Sequence, residues 1–157
     1  WFSEILGTEC ELVYMPDETK RMVDTEYAKN NETTSFSDGY PFLIIGQSSL
    51  DELNSKLSES LPINRFRPNI VFTTGEPHTE DSWQHITING IDFFGVKTCA
   101  RCVVTTINQQ TAVAGKEPLK TLAAYRSVNN KIKFGMNLLH KGEGTIKVGN
   151  TITVRSD

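Results

Sequence analysis

The sequence predicts a mainly β, barrel-like domain with a few short helices. Three observations support this fold class. Several short runs rich in β-branched and aromatic residues follow one another closely, two dipeptides typical of hairpin turns lie between such runs, and helical periodicity is confined to two or three stretches. The 157 residues suffice for one ordinary domain with an attached piece of another.

The N-terminal region is predicted to hold two short elements and a long polar loop. Residues 1–9 favour a short helix that ends near Gly7, and residues 10–14 alternate enough for a strand that ends at Pro16. Residues 17–38 are rich in Asp, Glu, Asn, Thr and Ser, which is typical of a solvated loop or linker.

A denser and more apolar region begins at Tyr40. Residues 42–45 are apolar on both sides, which predicts a buried strand. Two serines then precede two acidic residues at the spacing of a capping box, and leucines follow at helical intervals. We therefore predict an amphipathic helix over residues 49–59, ended by Pro62.

Further strands are predicted along the rest of the chain. Asn89-Gly90 and Gly149-Asn150 each separate two apolar runs and predict hairpin turns. A last helix is expected over residues 117–126, because Pro118 suits the first helical turn. The predicted strands are residues 69–72, 84–88, 91–97, 102–107 and 146–154.

Composition excludes several classes of protein. The chain carries 16 basic and 19 acidic residues, a net charge of -3, which argues against a nucleic-acid-binding protein. No apolar run reaches the roughly 18 to 20 residues of a membrane helix. Three cysteines do not form a disulfide framework and fit a reducing compartment, so a cytoplasmic location is expected. Because the sequence starts at Trp1, we expect it to be part of a longer protein.

Two polar clusters are candidates for function. In Asn64-Arg65-Phe66-Arg67-Pro68-Asn69, two arginines beside a proline make a rigid cationic corner, and a guanidinium suits a phosphate or the polar edge of a heterocycle. The alternative is a pair of surface arginines in ordinary ion pairs. Glu80-Asp81-Ser82-Trp83 is better explained as a turn with an aromatic anchor.

The third cluster, Cys99-Ala100-Arg101-Cys102, contains two thiols. A zinc ribbon needs a second ligand pair, which the other cysteine and the histidines do not supply at suitable spacing. A thioredoxin-like pair belongs between a strand and a helix, whereas Cys102 opens a β-branched run. What remains is the Cys102 thiol beside the Arg101 cation, which suits a soft transition metal, or else a small buried hydrophobic residue.

These clusters occur in an order that resembles the MOSC family, and the likeness runs from about residue 40 to residue 154. This family includes the C-terminal domain of molybdenum cofactor sulfurases and the amidoxime-reducing components, and the likeness is closer to the latter branch. It implies a MOSC-type β-barrel over residues 40–157, preceded at 1–39 by a linker or the tail of an N-terminal β-domain. The motifs are Phe66-Arg67-Pro68-Asn69, Glu80-Asp81-Ser82-Trp83, Cys99-Ala100-Arg101-Cys102, Glu117-Pro118-Leu119, Tyr125-Arg126, Phe134-Gly135 and residues 144–149.

The resemblance also implies a cofactor and a set of residues that hold it. The cofactor is the molybdenum cofactor, Mo-molybdopterin, with the Cys102 thiolate as metal ligand and catalytic residue, while Cys99 is no ligand. Pyridoxal phosphate is linked to the family as a whole and is assigned to no residue here. The residues expected to hold the pterin and its phosphate are Arg67, Asn69, Arg101, Ser48, Ser49 and Asn137.

The implied activity is reduction of the N–O bond of small N-hydroxylated substrates. Nothing in the sequence resembles a ferredoxin or flavin module, so electrons would come from a donor protein or a fused redox domain. The resemblance leaves a second interpretation open, a cofactor carrier or sulfur-transfer accessory domain with sulfur on Cys102. A third is a non-catalytic β-domain in which Cys102 is buried. Full-length relatives carry a preceding β-domain with further phosphate contacts, so this chain is expected to hold half a site.

Overall fold

The computed structural model describes residues 1–28 and 31–155, which form two compact units, Trp1–Gly39 and Tyr40–Asp157. In the first unit, helix α1 spans Phe2–Leu6 and ends at Gly7, whose φ of 63° stops the helix as the sequence predicts. The described part of this unit contains no strand, so the strand predicted at 10–14 is wrong. A single bridge joins Met22 to Thr33.

The second unit is built on one seven-stranded sheet. Its strands follow the order β2-β1-β6-β4-β3-β7, and β5 pairs with β6 off this path. All pairs are antiparallel except β1 with β2. The strands are β1 Phe42–Gly46, β2 Ile70–Phe72, β3 His85–Ile88, β4 Ile91–Ala100, β5 Ser127–Val128, β6 Lys131–Lys141 and β7 Ile152–Val154, and the helices are α2 Gln47–Ser55 and α3 Leu119–Tyr125.

The sheet curves into a nearly closed barrel, which confirms the predicted mainly β fold class. A groove of about 890 Å³ lies between the two ends of the sheet, β2 and β7. Successive residues of β1 face opposite sides, so Ile44 packs inside the barrel and Ile45 packs outside, under α2 and α3. The inner core includes Ile44, Phe72, Trp83, Ile86, Phe93, Met136 and Leu138; the outer core is Ile45, Leu50, Leu53, Phe66, Leu122 and Phe134.

Strand β6, which pairs with β1, β4 and β5, was not predicted. Its alternation is interrupted at Gly135, whose φ of 81° is a backbone conformation that favours glycine. A Cβ at this position would lie 2.7 Å from Ile45 Cγ1, so glycine also allows β1 to approach. Leu138 and Leu139 are both fully buried, which removes the polar face that marks a half-buried strand.

The strand predicted over residues 102–107 is wrong, because a 3-10 helix spans Val103–Thr106. Thr105 Oγ1 donates to the Cys102 carbonyl at 3.0 Å, and Thr106 Oγ1 donates to the Val103 carbonyl at 2.7 Å. These hydroxyls compete with a strand ladder for the backbone acceptors. β-Branched composition favoured a strand, but the local hydrogen bonds close a turn instead.

The remaining predictions are corrected at their boundaries. Helix α2 starts at Gln47 without a side-chain cap, whereas a helix over 49–59 was predicted. The turn at Asn89-Gly90 does join two paired strands, β3 and β4. In residues 146–154 only Ile152–Val154 is a strand, and it pairs with β3 rather than with residues 146–148. Within 1–28 and 31–155, none of the helices has the length and apolar character needed to cross a lipid bilayer.

Candidate functional site

The turn that carries Cys102 lies just beyond the end of β4. The Cys102 side chain is exposed, and no hydrogen bond among residues 1–28 and 31–155 reaches its sulfur. Strand β4 reaches Ala100, and the backbone is extended at Cys102, where φ is -107° and ψ is 176°. Cys99 and Cys102 are both free thiols rather than partners in a disulfide.

The Arg101 guanidinium contacts Cys99 rather than Cys102. Its Nη1 donates to Cys99 Sγ at 3.1 Å, and its Nη2 donates to the Phe66 carbonyl at 2.8 Å. The guanidinium carbon also lies 5.5 Å from the centre of the Phe66 ring. The sequence interpretation placed the Arg101 cation beside the Cys102 thiol, whereas the structure directs it to Cys99, because the side chains of residues 99 and 101 share one face of the segment.

The predicted cationic corner is fixed on both sides. Arg67 is exposed and has a φ of 55°, a left-handed conformation that is uncommon for residues other than glycine. Asn69 is held twice by the start of β1, because its Oδ1 accepts from Leu43 N at 2.8 Å and its N donates to Leu43 O at 2.9 Å. The corner thus presents Arg67 at the edge of the barrel on a restrained backbone.

A row of side chains crosses the outer face of the sheet from this corner. Leu43 on β1 pairs with Asn137 on β6, and Asn137 pairs with Lys97 on β4. Directly paired residues of antiparallel strands point to the same face, so these three side chains adjoin. Asn69 is hydrogen-bonded to Leu43, so the structure brings Asn137 close to Asn69 through this row. The row also includes Lys97, which sequence reasoning had missed.

The two predicted serines have different surroundings. Ser49 is fully buried, donates to both carboxylate oxygens of Glu80 at 2.9 and 3.0 Å, and accepts from His78 N at 2.8 Å. Ser48 Oγ is buried without a hydrogen-bond partner among the residues that the structure describes. Gly46 N also donates to Glu80 Oε1, at 3.1 Å, so the fully buried Glu80 ties the start of α2 in place.

Ser48 and the Arg67 corner lie towards opposite ends of β1. Leu43 to Gly46 covers about 10 Å at the rise of a β-strand. A ligand that contacts both regions must therefore be extended rather than compact.

Positive charge gathers near the end of β4. Burial lowers the pKa of Lys133 below its ordinary value, and the charges of Lys131 and Lys97 lower it further, while Cys99 and Asp81 act in the opposite direction. The Lys133 ammonium donates to Thr98 O at 3.3 Å. These interactions bring Lys97, Lys131 and Lys133 near one another at the end of β4, although the chain as a whole carries a net charge of -3.

Two further residues named by the sequence, Glu80 and Asp81, belong to a 3-10 helix, Thr79–Ser82. Asp81 forms an ion pair with Arg126, whose Nε donates to Lys133 O at 3.1 Å. Trp83 follows and packs in the inner core with its ring 4.5 Å from that of Phe72. The prediction of a turn with an aromatic anchor is confirmed for this segment.

The polar atoms present fit an extended, polar, metal-bearing cofactor. Ser48 Oγ and Arg101 Nε are both buried and lack a hydrogen-bond partner in the described part of the chain, and buried polar groups without partners are rare. Within 1–28 and 31–155, no three His, Cys, Asp or Glu side chains gather into a metal site. A metal at Cys102 would therefore bring most of its ligands with it, as a metallated pterin does.

The fold and this geometry define a class of protein, a mainly β domain with one exposed thiol, that of Cys102. A turn follows Cys102 along the chain, and Arg101 before it is hydrogen-bonded to the cationic corner. The family can be stated more narrowly. A sequence model described as "MOSC domain" matches residues 31–153, most of the chain. The chain therefore belongs to the MOSC domain family.

Curated relatives agree with this assignment. The chain is 37% identical over 127 residues to mitochondrial amidoxime-reducing component 1 of Homo sapiens, covering 75% of this chain and 38% of that protein. It is 32% identical to the protein of the same description from Mus musculus, covering 97% and 48%. It is 31% identical to molybdenum cofactor sulfurase of Arabidopsis thaliana, covering 90% and 19%. The chain thus spans at most about half the length of these relatives.

Proposed function

We propose that the chain is the molybdenum-cofactor-binding domain of an oxidoreductase that reduces the N–O bond of small N-hydroxylated substrates. The observation that carries this proposal is the exposed Cys102 sulfur at the rim of a polar face, in a chain whose relatives include amidoxime-reducing components. When bound, the cofactor would supply the two electrons that break the N–O bond, and two protons complete the release of water and the reduced nitrogen compound.

The residues of this chain would bind and orient the cofactor. Cys102 would supply a thiolate, a ligand suited to a soft metal and available because nothing in the described residues occupies its sulfur. Arg67 would bind the pterin or its phosphate from its restrained corner through charge-assisted hydrogen bonds. Asn69 and Asn137 would contribute amide groups from the same face, and Ser48 would use its unpartnered hydroxyl.

Ser49 and Arg101 have weaker claims to direct contact. Ser49 already uses its hydroxyl on Glu80 and His78 N. Arg101 uses one N–H of each terminal nitrogen on Cys99 and Phe66. Ser49 is therefore proposed to support the site through the start of α2.

The proposal is tested by measuring the molybdenum content of two variants, each with one cysteine replaced by serine. After the protein is produced in cells that make Mo-molybdopterin, Cys102→Ser should lose at least about nine tenths of its bound molybdenum, since the metal loses its protein thiolate. Cys99→Ser is the matched control and should keep most of it, because a serine hydroxyl can still accept from Arg101. Equal molybdenum content in Cys102→Ser and the unaltered protein would refute metal ligation by Cys102.

A second candidate function is a carrier or sulfur-transfer accessory domain, in which Cys102 holds a persulfide. It is favoured by the match to molybdenum cofactor sulfurases, one of which is 30% identical over the whole of this chain. Turnover separates the two functions. The reductase should convert benzamidoxime to benzamidine with an artificial electron donor, whereas a carrier should not, and should instead show cyanide-releasable sulfur that Cys102→Ser lacks.

We further propose that residues 1–39 are a linker or the tail of an N-terminal β-domain, and that this preceding domain supplies further cofactor contacts in a longer protein. Electrons would come from a donor protein or a fused redox domain. The relatives are at least about twice as long as the part that this chain matches. A chain extended at its N-terminus to the length of the relatives should then retain more molybdenum than residues 1–157 alone. Equal retention by both would contradict this idea.

A further inference from the structure

We propose that Arg101 is a positioning residue, which braces the Arg67 corner against the Cys102 turn, and that Cys99 is the second anchor of this brace. This inference rests on the proposed function for its consequence, but its geometry stands without a cofactor. The Arg101 side chain reaches from the end of β4 to the 3-10 helix Ile63–Phe66 and donates to the last carbonyl of that helix.

Each end of the brace is well anchored. The Arg101 backbone N donates to Ile132 O at 2.8 Å, so the residue remains attached to β6 just after β4 ends. Phe66 is fully buried and packs its ring 4.5 Å from that of Phe134, which also lies on β6. Arg101 and Phe66, which the guanidinium joins, are therefore both attached to strand β6.

The brace acts where the chain reverses. Phe66 immediately precedes Arg67, whose left-handed φ makes the backbone of the corner depend on its neighbours. The far side of the corner is held by Asn69 on Leu43, and the near side by Arg101 on the Phe66 carbonyl. Removing the second support should release Arg67 while leaving Asn69 attached.

Cys99 fixes the direction of the guanidinium. Nη1 and Nη2 each hold one acceptor, Cys99 Sγ and Phe66 O, and a planar fork with two acceptors has little freedom to rotate. With both terminal nitrogens engaged, Nε is a buried donor that has no hydrogen-bond partner among the residues that the structure describes. Cys102 follows Arg101 directly, so the orientation of Arg101 also sets where the Cys102 turn departs from the sheet.

The brace predicts that the spacing between the Cys102 sulfur and the Arg67 guanidinium depends on Arg101. Loss of Arg101 should then weaken cofactor binding indirectly, by loosening the corner, whereas loss of Arg67 should weaken it directly. In the protein without cofactor, loss of Arg101 should still loosen the corner, whereas loss of Arg67 removes only a contact to the absent cofactor.

Hydrogen exchange in cofactor-free protein separates these cases. The reporters are two hydrogen-bonded amides that flank the corner, Arg67 N on Asn64 O at 3.1 Å and Asn69 N on Leu43 O at 2.9 Å. Arg101→Met keeps an apolar stem over Phe66, and should raise exchange at Arg67 at least about tenfold with a smaller rise at Asn69. Arg67→Met is the control and should leave exchange at Asn69 within about twofold.

Milder variants keep the test informative if Arg101→Met does not fold. Arg101→Lys can reach one acceptor but not both, and Cys99→Ala removes only the sulfur anchor, so each should raise exchange at Arg67 about threefold. Unchanged exchange at Arg67 in the folded Arg101 variants would overturn the brace. Unchanged exchange at Arg67 in Cys99→Ala would overturn the anchor role of Cys99. Molybdenum content of the unaltered protein tests the proposed function separately, because the exchange result does not depend on it.

Discussion

At the scale of single residues, side-chain surroundings decide which sequence signals carry function. The sequence singled out Arg101 and both serines by their positions in motifs, but it could not tell which of their polar atoms the fold would use. Arg101 donates hydrogen bonds to Cys99 and Phe66, and Ser49 donates to Glu80. Ser48, in contrast, has a buried hydroxyl with no hydrogen-bond partner among the residues that the structure describes. Arg101 with Phe66 and Ser49 with Glu80 are contacts between residues more than 30 positions apart, which leave no local pattern, so these roles could not be read in advance.

The two adjacent serines give a matched pair of substitutions. Ser49→Ala should destabilise the domain by about 1–3 kcal/mol, because it leaves the buried Glu80 carboxylate and His78 N short of a partner. Ser48→Ala should change the free energy of unfolding by less than about 0.5 kcal/mol. Urea unfolding measures both. On cofactor retention the order should reverse, with the larger loss in Ser48→Ala; equal stabilities of the two variants would contradict this assignment.

Gly95 offers a steric prediction of the same scale. A Cβ added there would lie 1.8 Å from the Trp83 carbonyl oxygen, a backbone atom that cannot move aside without shifting the barrel. Gly95→Ala should therefore cost at least about 3 kcal/mol, the upper range for overpacking.

Gly115→Ala is the control for this substitution, since its nearest atom, Thr106 O, lies at 3.7 Å, an ordinary contact. Thermal unfolding of the two variants compares them directly. A melting temperature of Gly95→Ala within a degree or two of the unaltered protein would show that the close approach of Trp83 is not required.

At the scale of elements, local sequence signals identified β1, α2 and one hairpin but missed β6 and the turn at Cys102. The hairpin at Asn89-Gly90 followed from local turn chemistry, and α2 from the spacing of its leucines. Strand β6 was missed because it is buried on both faces near Leu138 and Leu139 and is bent at Gly135. The Cys102 turn was mistaken for a strand because threonine hydroxyls, rather than β-branched packing, decide its shape.

The packing of α2, α3 and the 3-10 helix Thr79–Ser82 around His78 gives a pH-dependent prediction. Burial lowers the pKa of His78, and the charge of Arg126 lowers it further, while Glu52, Glu80 and Asp81 oppose this. The ring lies 6.0 Å from that of Tyr125. Burial raises the pKa of this tyrosine to about 12, so its hydroxyl stays neutral throughout the relevant range.

The sign of the effect follows from proton binding. The unfolded chain has a histidine pKa of about 6.5, and the folded value lies below it, so the unfolded state binds more protons between the two. Stability should therefore fall as the pH drops from about 6.5 towards the folded pKa, with a slope of at most about 1.4 kcal/mol per pH unit.

His78→Asn is a suitable control, because asparagine tolerates the φ of 62° at this position. Urea unfolding between pH 7.5 and 5 should show a flatter dependence in this variant than in the unaltered protein. Equal slopes would mean that His78 does not carry the effect.

At the scale of the whole molecule, the fold class and family were available from the sequence because many short motifs occur in one order. The barrel-shaped sheet and the match to the MOSC domain family confirm both. The N-terminal strand was predicted wrongly, since alternation over five residues is weak evidence when no partner strand is present. The boundary proposed at residue 39 stays a prediction about the organisation of a longer protein.

The two units should differ in local stability. In the first unit the described elements are one five-residue helix and one bridge, and its buried residues are few, whereas β4 and β6 lie in the middle of a sheet. Amides of residues 1–28 and 31–39 should exchange with solvent at least about 100-fold faster than those at the centre of β6, because little apolar surface protects them. Exchange followed by mass spectrometry measures this, and similar protection in both regions would contradict it.

The ladder between β4 and β6 has one more implication. The ladder runs nearly the whole length of both strands and ends close to Cys102 along the chain. The position of Cys102 is therefore fixed by the middle of the barrel. The surface segment at 108–116, only a few positions downstream, is not bound by this constraint. Over evolutionary time such a segment can be lengthened, shortened or given new side chains while the thiol keeps its place.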